Sequence, residues 1–411
     1  MKYMKLIGVT FGALILLISG VYGAFLLTEY FTGNSYVDYL TENKESKLLN
    51  KPMTFELMQD DLEQKQLVLV GEIHGFKVPN QFDVELFTYL NQKHQFSTYL
   101  VEMDYSQAYF LNKYNQTGDE RLLTDVLKNW VVSIGRDNLD YKKRWQQLRE
   151  LHQSGHPFLY IGTDKLKDVT LLVRHLNELT TSFGGNWGLE RTESEQLEFA
   201  LVEITKLIEK QSTSSSLTWQ LQHLKKNIRF KLDSIGRETV MTSNLLDLYE
   251  NYGLYEAKVY GFYGLGHTLL KPIASGHNPM AARLVHNSEW FKDNILVINM
   301  LFADSYMTVK SEMLPSFLRT DTLYSKLSVS YDSILTYYAY GIMDLLRVTS
   351  PQTKTLFKIN NLDSPYDSSQ RLFNSYKLLP FGQKISALDK TVTSDYGQYL
   401  LFIRNSDWAQ P

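Results

Sequence analysis

Five short apolar runs, separated by stretches with helical spacing, constrain the fold of this chain most strongly. The runs are residues 66–71, 98–103, 158–162, 258–264 and 295–301. Apolar runs of this length that alternate with helices are typical of buried parallel strands. The sequence therefore predicts an α/β fold in which a largely parallel sheet is flanked by helices.

A long insertion separates the third run from the fourth. Residues 192–251 are rich in Leu, Glu, Lys and Gln, and apolar residues such as Leu197, Leu201 and Ile204 recur at helical spacing. The pattern is broken near residues 211–216, which predicts a helical hairpin. We expect one α/β domain over residues 62–411 that contains this insertion. Residues 355–359 and 399–403 also resemble strands, but the sequence does not place them.

The N-terminus carries an uncharged apolar run, residues 6–27, directly after Lys2 and Lys5. As a helix that rises about 1.5 Å per residue, this run is long enough to cross a bilayer core of roughly 30 Å. Its positive flank is expected to stay in the cytoplasm, which leaves the domain outside. We therefore expect a membrane anchor within residues 1–30, followed by a tether over residues 31–61.

The alternative for the same segment is a signal peptide, because Val21 and Gly23 are small enough to precede a cleavage site. Cleavage there would release the domain as a secreted protein. The apolar run is longer than the core of a usual signal peptide, which favours the uncleaved anchor.

Composition excludes several kinds of chemistry. The chain contains no cysteine, which excludes thiolate nucleophiles, Cys-ligated zinc and a lipidated Cys. Its net charge of −3 gives no reason to expect a nucleic-acid partner. The sequence also has no Gly-x-Ser-x-Gly elbow and no phosphate-binding glycine loop. These exclusions leave histidine and carboxylate side chains as the candidates for any chemistry.

Polar side chains follow each of the five runs. In chain order they are Glu72 and His74, Glu102, Asp164, His267, and Asp304. In parallel sheets, ligands bind at the edge formed by the carboxyl ends of the strands. Two Gly-x-x-His turns at such ends point to a site. We predict a catalytic role for the two histidines and two glutamates, and substrate binding for the two aspartates.

The residue types allow two kinds of site. A neutral imidazole can take a proton from water near pH 7, and neighbouring carboxylates can hold its tautomer. A buried Glu102 would be costly without a partner, so a functional or paired role is expected. Imidazole nitrogen and carboxylate oxygen also suit divalent metals, for which His74, Glu102 and His267 would be the ligands. The sequence leaves the metal question open.

Four segments together resemble a known group of proteins. They are residues 68–75, the strand that ends at Glu102, residues 237–244, and residues 264–267. In order and context they resemble the erythromycin-esterase-like proteins and their relatives, the haem-uptake ChaN-like proteins and the TraB/TIKI proteins. The resemblance spans roughly residues 62–304.

The resemblance implies roles for these residues. In erythromycin-esterase-like enzymes, the histidine of a Gly-Glu-x-x-His-Gly turn is taken as the base that activates water. This implies His74 as the base, with Glu72, Glu102 and His267 as orienting or stabilising partners. The turn at residues 71–75 is one residue shorter, which favours the TraB/TIKI side, whose animal members look like metal-dependent peptidases.

The segment of residues 237–244 adds a cation. Arg237 shares one face of a predicted helix with Met241, Asn244 and Leu248, and we expect it to bind substrate. An Arg that the esterases carry shortly after the first histidine is absent, and Lys77 stands nearby instead. The resemblance therefore does not imply a macrolide substrate.

Three functions remain after the sequence analysis. The favoured one is hydrolysis of an ester or amide bond in a small molecule or peptide, with His267 or Arg237 stabilising the oxyanion. The second is a ChaN-like protein that holds haem or another ligand without turnover. The third is a catalytically silent member with a structural or regulatory role at the membrane.

Overall fold

A central sheet flanked by helices organises the molecule in the computed structural model, which describes residues 20–130, 138–181, 187–188, 191–210, 215–333, 337–377 and 385–410. The strands of these residues are β1 (Lys44–Leu48), β2 (Leu67–Glu72), β3 (Thr98–Val101), β4 (Leu159–Gly162), β5 (Val259–Gly264), β6 (Ile295–Ala303), β7 (Ser305–Lys310), β8 (Tyr324–Val329), β9 (Asp332–Ser333), β10 (Tyr337–Ala339), β11 (Thr353–Lys358), β12 (Ser375–Tyr376) and β13 (Tyr399–Arg404).

Eight of these strands form the main sheet, in the order β1-β11-β13-β6-β2-β5-β3-β4. The strands from β13 to β4 are parallel to one another, while β11 is antiparallel to both of its neighbours. The predicted α/β class with a largely parallel sheet is confirmed. Two small antiparallel sheets, β7-β8 and β12-β10-β9, lie outside it.

Helices lie between most of the strands along the chain. They are α1 (Asn34–Glu42), α2 (Gln59–Gln64), α3 (Lys77–His94), α4 (Tyr105–Thr117), α5 (Glu120–Asn129), α6 (Leu139–Gln153), α7 (Val169–Thr180), α8 (Glu193–Lys210), α9 (Ser215–Leu232), α10 (Arg237–Tyr252), α11 (Leu265–Thr268), α12 (Met280–Asn287), α13 (Glu289–Asn294) and α14 (Ile342–Val348). Short 3₁₀ turns lie at Glu56–Met58, Leu254–Glu256, Ser311–Met313, Ser316–Leu318, Pro365–Asp367 and Thr393–Tyr396.

Helices cover both faces of the sheet, which explains the continuous apolar runs. Along β2, Val68 and Val70 belong to one buried cluster, whereas Leu67 and Leu69 belong to another on the opposite face. Successive side chains of a strand point to opposite faces, so a strand buried on both sides needs apolar residues at every position.

The predicted insertion is helical. Helices α8 and α9 form the expected hairpin, and α10 continues the segment back to β5. Ile204 of α8 and Ile228 of α9 are fully buried in a cluster that also holds Leu176 of α7. The residues between the two helices, 211–214, lie outside the described residues.

The segment expected to be a tether, residues 31–61, is part of the fold, and that prediction needs correction. It contains α1, and β1 pairs antiparallel with β11 from Lys44 opposite Phe357 to Leu48 opposite Thr353. The strand is an edge strand with one open side, so its Lys-Glu-Ser-Lys-Leu sequence lacks the apolar run by which the central strands are recognised.

The predicted anchor lies mostly outside the described residues, which begin at residue 20. Residues 20–32 are helical. Among the described residues, no helix is both long enough and apolar enough to cross a membrane. The anchor therefore stays a prediction, because residues 6–19 of the apolar run lie outside the described residues.

Candidate active site

Two turns lie side by side at the carboxyl edge of the sheet. The last residue of β2, Glu72, is in register with Gly264, the last residue of β5. The two Gly-x-x-His turns, which start at Gly71 and Gly264, therefore begin within one residue of the same level of the sheet. A Cβ on Gly264 would lie only 3.1 Å from Nε2 of His74, so the absence of a side chain at this position lets the imidazole pack against the backbone.

His74 is held by the carboxylate that precedes it. Its Nδ1 is hydrogen-bonded to Oε1 of Glu72, whose exposed fraction is 4%. A carboxylate at Nδ1 favours the tautomer with the proton on that nitrogen, which makes Nε2 the basic nitrogen of the ring. Nε2 of His74 lies 4.0 Å from Oε2 of Glu102.

His267 repeats this arrangement with a different carboxylate. Its Nδ1 lies 2.6 Å from Oε1 of Glu238, in ion-pair contact but out of line for a hydrogen bond. The other oxygen of Glu238 accepts the backbone N–H of Met280 at 2.8 Å, which fixes the carboxylate. Nε2 of His267 lies 3.8 Å from Oε1 of Glu102. Each imidazole thus contacts one carboxylate through Nδ1 and faces Glu102 with Nε2.

Glu102 is the buried centre of the site, with an exposed fraction of 3%. Nη2 of Arg237 donates to its Oε1 at 2.5 Å, and the backbone N–H of Gly264 donates to its Oε2 at 2.9 Å. These donors offset the cost of removing a carboxylate from water. The pairing that the sequence analysis expected for this buried carboxylate is therefore present.

A second buried carboxylate, Asp164 at the end of β4, holds the same arginine. Nε and Nη2 of Arg237 donate to its two oxygens at 2.8 and 2.6 Å, and Nζ of Lys167 lies 2.5 Å from Oδ2. Burial acts to raise the pKa of Asp164, but the charges of Lys167 and Arg237 lower that pKa below its usual value. Asp164 is therefore an anion whose fork-like contact fixes the guanidinium.

A hydrogen bond between uncharged groups joins the helix that carries Arg237 to the end of β4. Asn244, two turns further along α10, donates from Nδ2 to the carbonyl oxygen of Thr163 at 3.1 Å. It also exchanges a hydrogen bond with Asn227 of α9. The shared helix face predicted for Arg237 and Asn244 thus points at the carboxyl end of β4.

The structure brings six of the seven predicted site residues into one network. They are Glu72, His74, Glu102, Asp164, Arg237 and His267.

Asp304 is placed elsewhere. Its exposed side chain lies 3.4 Å from Nη2 of Arg404, away from the six. Gly71 of β2 is in register with Asn299 of β6, so β6 continues past the end of β2 and places Asp304 beyond the site. The substrate-binding role predicted for Asp304 is not supported by this position.

Two residues of the network were missed by the sequence analysis. Glu238 stands next to Arg237 in the first turn of α10, and that position near the strand ends was the available signal. Lys167 lies in the loop after β4, where a lysine resembles any solvent-exposed residue. Neither residue directly follows the end of an apolar run.

The side chains do not fit a divalent metal in this arrangement. Within the described residues, no group of three His, Asp or Glu side chains is placed to hold a metal ion. The positive charge next to Glu102 is the guanidinium of Arg237, which contacts the oxygen that also faces His267.

No family model and no curated protein matches the chain. Solved structures do match its fold. A Bacillus cereus protein superposes with a TM-score of 0.67 at 14% identity, covering 92% of this chain and 98% of the other. A succinoglycan biosynthesis protein gives a TM-score of 0.57 at 15% identity, covering 91% and 97%. A mutant of the erythromycin esterase EreC gives 0.55 at 14% identity, covering 89% and 98%.

These likenesses show that the chain shares the fold of this erythromycin esterase over nearly its whole length, beyond residues 62–304, over which its sequence resembles that group. The haem-binding ChaN of Campylobacter jejuni is also similar, at 16% identity, covering 63% of this chain and 91% of the other. The TM-score of that superposition is 0.29.

Proposed function

We propose that this protein hydrolyses an ester or amide bond and that His74 is the base that activates water. The observation that carries the proposal is the hydrogen bond between Nδ1 of His74 and Glu72. It leaves Nε2 facing Glu102 at the carboxyl edge of the sheet. The erythromycin esterase among the structures of similar fold acts, by its name, on an ester.

In the first step, a water molecule gives a proton to Nε2 of His74 while its oxygen attacks the carbonyl carbon of the substrate. The negative charge of Glu72 stabilises the imidazolium that forms. The carbonyl π electrons move to the carbonyl oxygen, which becomes an oxyanion in the tetrahedral intermediate.

Arg237 is the cation best placed to stabilise that oxyanion. Its guanidinium is fixed by Asp164 and Glu102, and 32% of its side chain is exposed. A donor that is already oriented needs no reorganisation as charge develops, which is why such donors lower barriers effectively. His267 faces the same carboxylate, and as an imidazolium paired with Glu238 it donates from Nε2 as the second donor.

In the second step the oxyanion collapses to an acid and the bond to the leaving group breaks. The leaving alkoxide or amine takes the proton from Nε2 of the His74 imidazolium, which restores the base. The products are a carboxylic acid and an alcohol or amine, so a small molecule or a peptide both remain suitable substrates.

The test is hydrolysis of a panel of esters, lactones and peptides in water enriched in ¹⁸O. We expect one heavy oxygen in the acid product of a reactive substrate. The His74→Ala variant should lose this activity, and the His94→Ala variant should keep it because His94 lies on α3 in contact with Tyr89. Equal rates for the two variants would contradict the proposal, as would a panel with no reactive member.

A further inference from the structure

The helix of residues 20–32 exposes an apolar face. Val21, Ala24, Leu27 and Phe31 are spaced three or four residues apart, so they share one side of the helix. Val21, Leu27 and Phe31 have exposed fractions of 64%, 60% and 68%. A continuous exposed apolar face on a helix usually marks contact with a membrane or with another protein.

The opposite face of this helix packs on the domain through aromatic rings. The ring centre of Phe25 lies 5.7 Å from that of Tyr338, 6.3 Å from that of Tyr340 and 5.8 Å from that of Tyr376. Tyr22 contacts Tyr338 at 6.5 Å. These five residues are called the aromatic cluster below. The cluster joins the helix to the small sheet of β9, β10 and β12.

A buried carboxylate locks this contact. Glu29, with an exposed fraction of 1%, accepts hydrogen bonds from the hydroxyl of Tyr338 at 2.7 Å and from the backbone N–H of Gly341 at 2.5 Å. Arg371 donates to the carbonyl oxygen of Glu29 at 3.2 Å. Glu29 is the one charged residue between positions 6 and 37 of the sequence. Its burial leaves that whole stretch without an exposed charge.

The length of the apolar run, residues 6–27, constrains the position of this helix relative to a bilayer. Residues 6–19, at about 1.5 Å per helical residue, would cover about 21 Å, which is less than a hydrocarbon core of roughly 30 Å. A crossing therefore needs residues 20–27 as well. Those residues include the two cluster members Tyr22 and Phe25, so their domain partners must lie at the same depth.

We propose that the aromatic cluster lies at the lipid–water boundary and that Glu29 holds the domain against the bilayer in one orientation. Lipid covers the exposed apolar face of the helix of residues 20–32. Tyrosine rings are favoured at this boundary because one end is apolar and the other forms hydrogen bonds. The apolar run before residue 20 and the absence of an exposed charge favour lipid over a second copy of the chain.

Because the chain contains no cysteine, one introduced cysteine can be labelled uniquely. The full chain would be reconstituted into phosphatidylcholine vesicles with a nitroxide at Tyr376→Cys, which is 42% exposed, or at the control Val202→Cys on α8, which is 52% exposed. Collision rates with oxygen, which concentrates in lipid, and with a water-soluble nickel complex would be measured. We expect an oxygen-to-nickel ratio at least several-fold higher at position 376.

Three results would overturn the proposal. Equal ratios at the two positions would place the cluster in water, and so would protein that stays out of the vesicles. Low rates with both reagents, together with spin–spin broadening at position 376, would place a second copy on the cluster.

The role of Glu29 is tested by adding Glu29→Ala to the position 376 label. Circular dichroism verifies folding. The oxygen-to-nickel ratio should fall to the control value while the protein stays in the vesicles. An unchanged ratio in folded protein would show that Glu29 does not set the orientation.

Discussion

Replacing Arg237 by alanine should destabilise the fold, because two buried carboxylates depend on that side chain. Glu102 and Asp164 have exposed fractions of 3% and 1%, and Arg237 contacts both. Removing one partner of a buried ion pair typically costs about 3–5 kcal/mol. About a third of the Arg237 side chain is exposed, and Lys167 still pairs with Asp164, so we expect the lower part of that range, about 3 kcal/mol.

The assay is guanidinium chloride unfolding of the full chain in detergent, followed by tryptophan fluorescence. Arg283→Ala is the matched control, because Arg283 lies on the neighbouring helix α12 and donates to a backbone carbonyl and to Thr239, with no carboxylate partner among the described residues. Surface substitutions of this kind change the free energy of unfolding by about 0.5 kcal/mol or less. The difference between the two variants isolates the contribution of the buried carboxylates.

The free energy of unfolding lost on replacing Arg237 should depend on pH. The pKa of Asp164 in the fold is below its usual value of 3.8, so this carboxylate contributes stability in full above 3.8, and the contribution disappears as pH falls through the lowered pKa. The cost of Arg237→Ala should therefore be largest near pH 7 and shrink below about pH 4. A cost that is independent of pH, or equal to that of Arg283→Ala, would refute this reasoning.

Four further predictions address the site and the location of the domain. With a reactive substrate, His74→Ala should lower turnover by roughly 10²- to 10⁴-fold, and adding His267→Ala should cause little further loss, whereas additive losses would mean that the histidines act independently. Gly264→Ala should lower turnover at least about tenfold because its Cβ would lie 3.1 Å from Nε2 of His74, while Gly236→Ala, whose Cβ meets nothing within 4 Å, should not. Hemin added to the purified protein should show no shift of the Soret band; a shift that saturates at one equivalent would favour ligand binding without turnover. A reporter fused after Pro411 should be exported, and cytoplasmic reporter activity alone would contradict the predicted topology.

The parts of the fold that could be predicted are those with a local signal. Strands β2, β3, β5 and β6 are buried on both faces, and β4 is buried after its first residue, so each is an apolar run bounded by helices. Strand β1 at the sheet edge is polar and gave no such signal. Strands β11 and β13 were recognised as strand-like, but their place beside β6 depends on pairing between distant parts of the chain, which a local pattern does not encode.

The same distinction applies to the candidate site. Residues that directly follow β2, β3 and β5 could be found because the ends of neighbouring parallel strands lie at one edge. Asp304 also follows a strand, but β6 continues beyond the end of β2, and strand length relative to neighbours is not visible in the sequence. Glu238 was missed because it lies on a helix, where a charged residue usually faces solvent.

Strand β13 has a consequence for the order of folding. It is formed by residues 399–404, near the end of the chain, yet it lies in the middle of the main sheet between β6 and β11. Strand β1, near the start, can join the sheet only after β11 is in place. During synthesis, the sheet edge of β6 therefore stays open until almost the whole chain has been made. Contacts this distant in sequence close slowly, so the growing chain exposes this unpaired strand edge from the synthesis of β6 until β13 has been made.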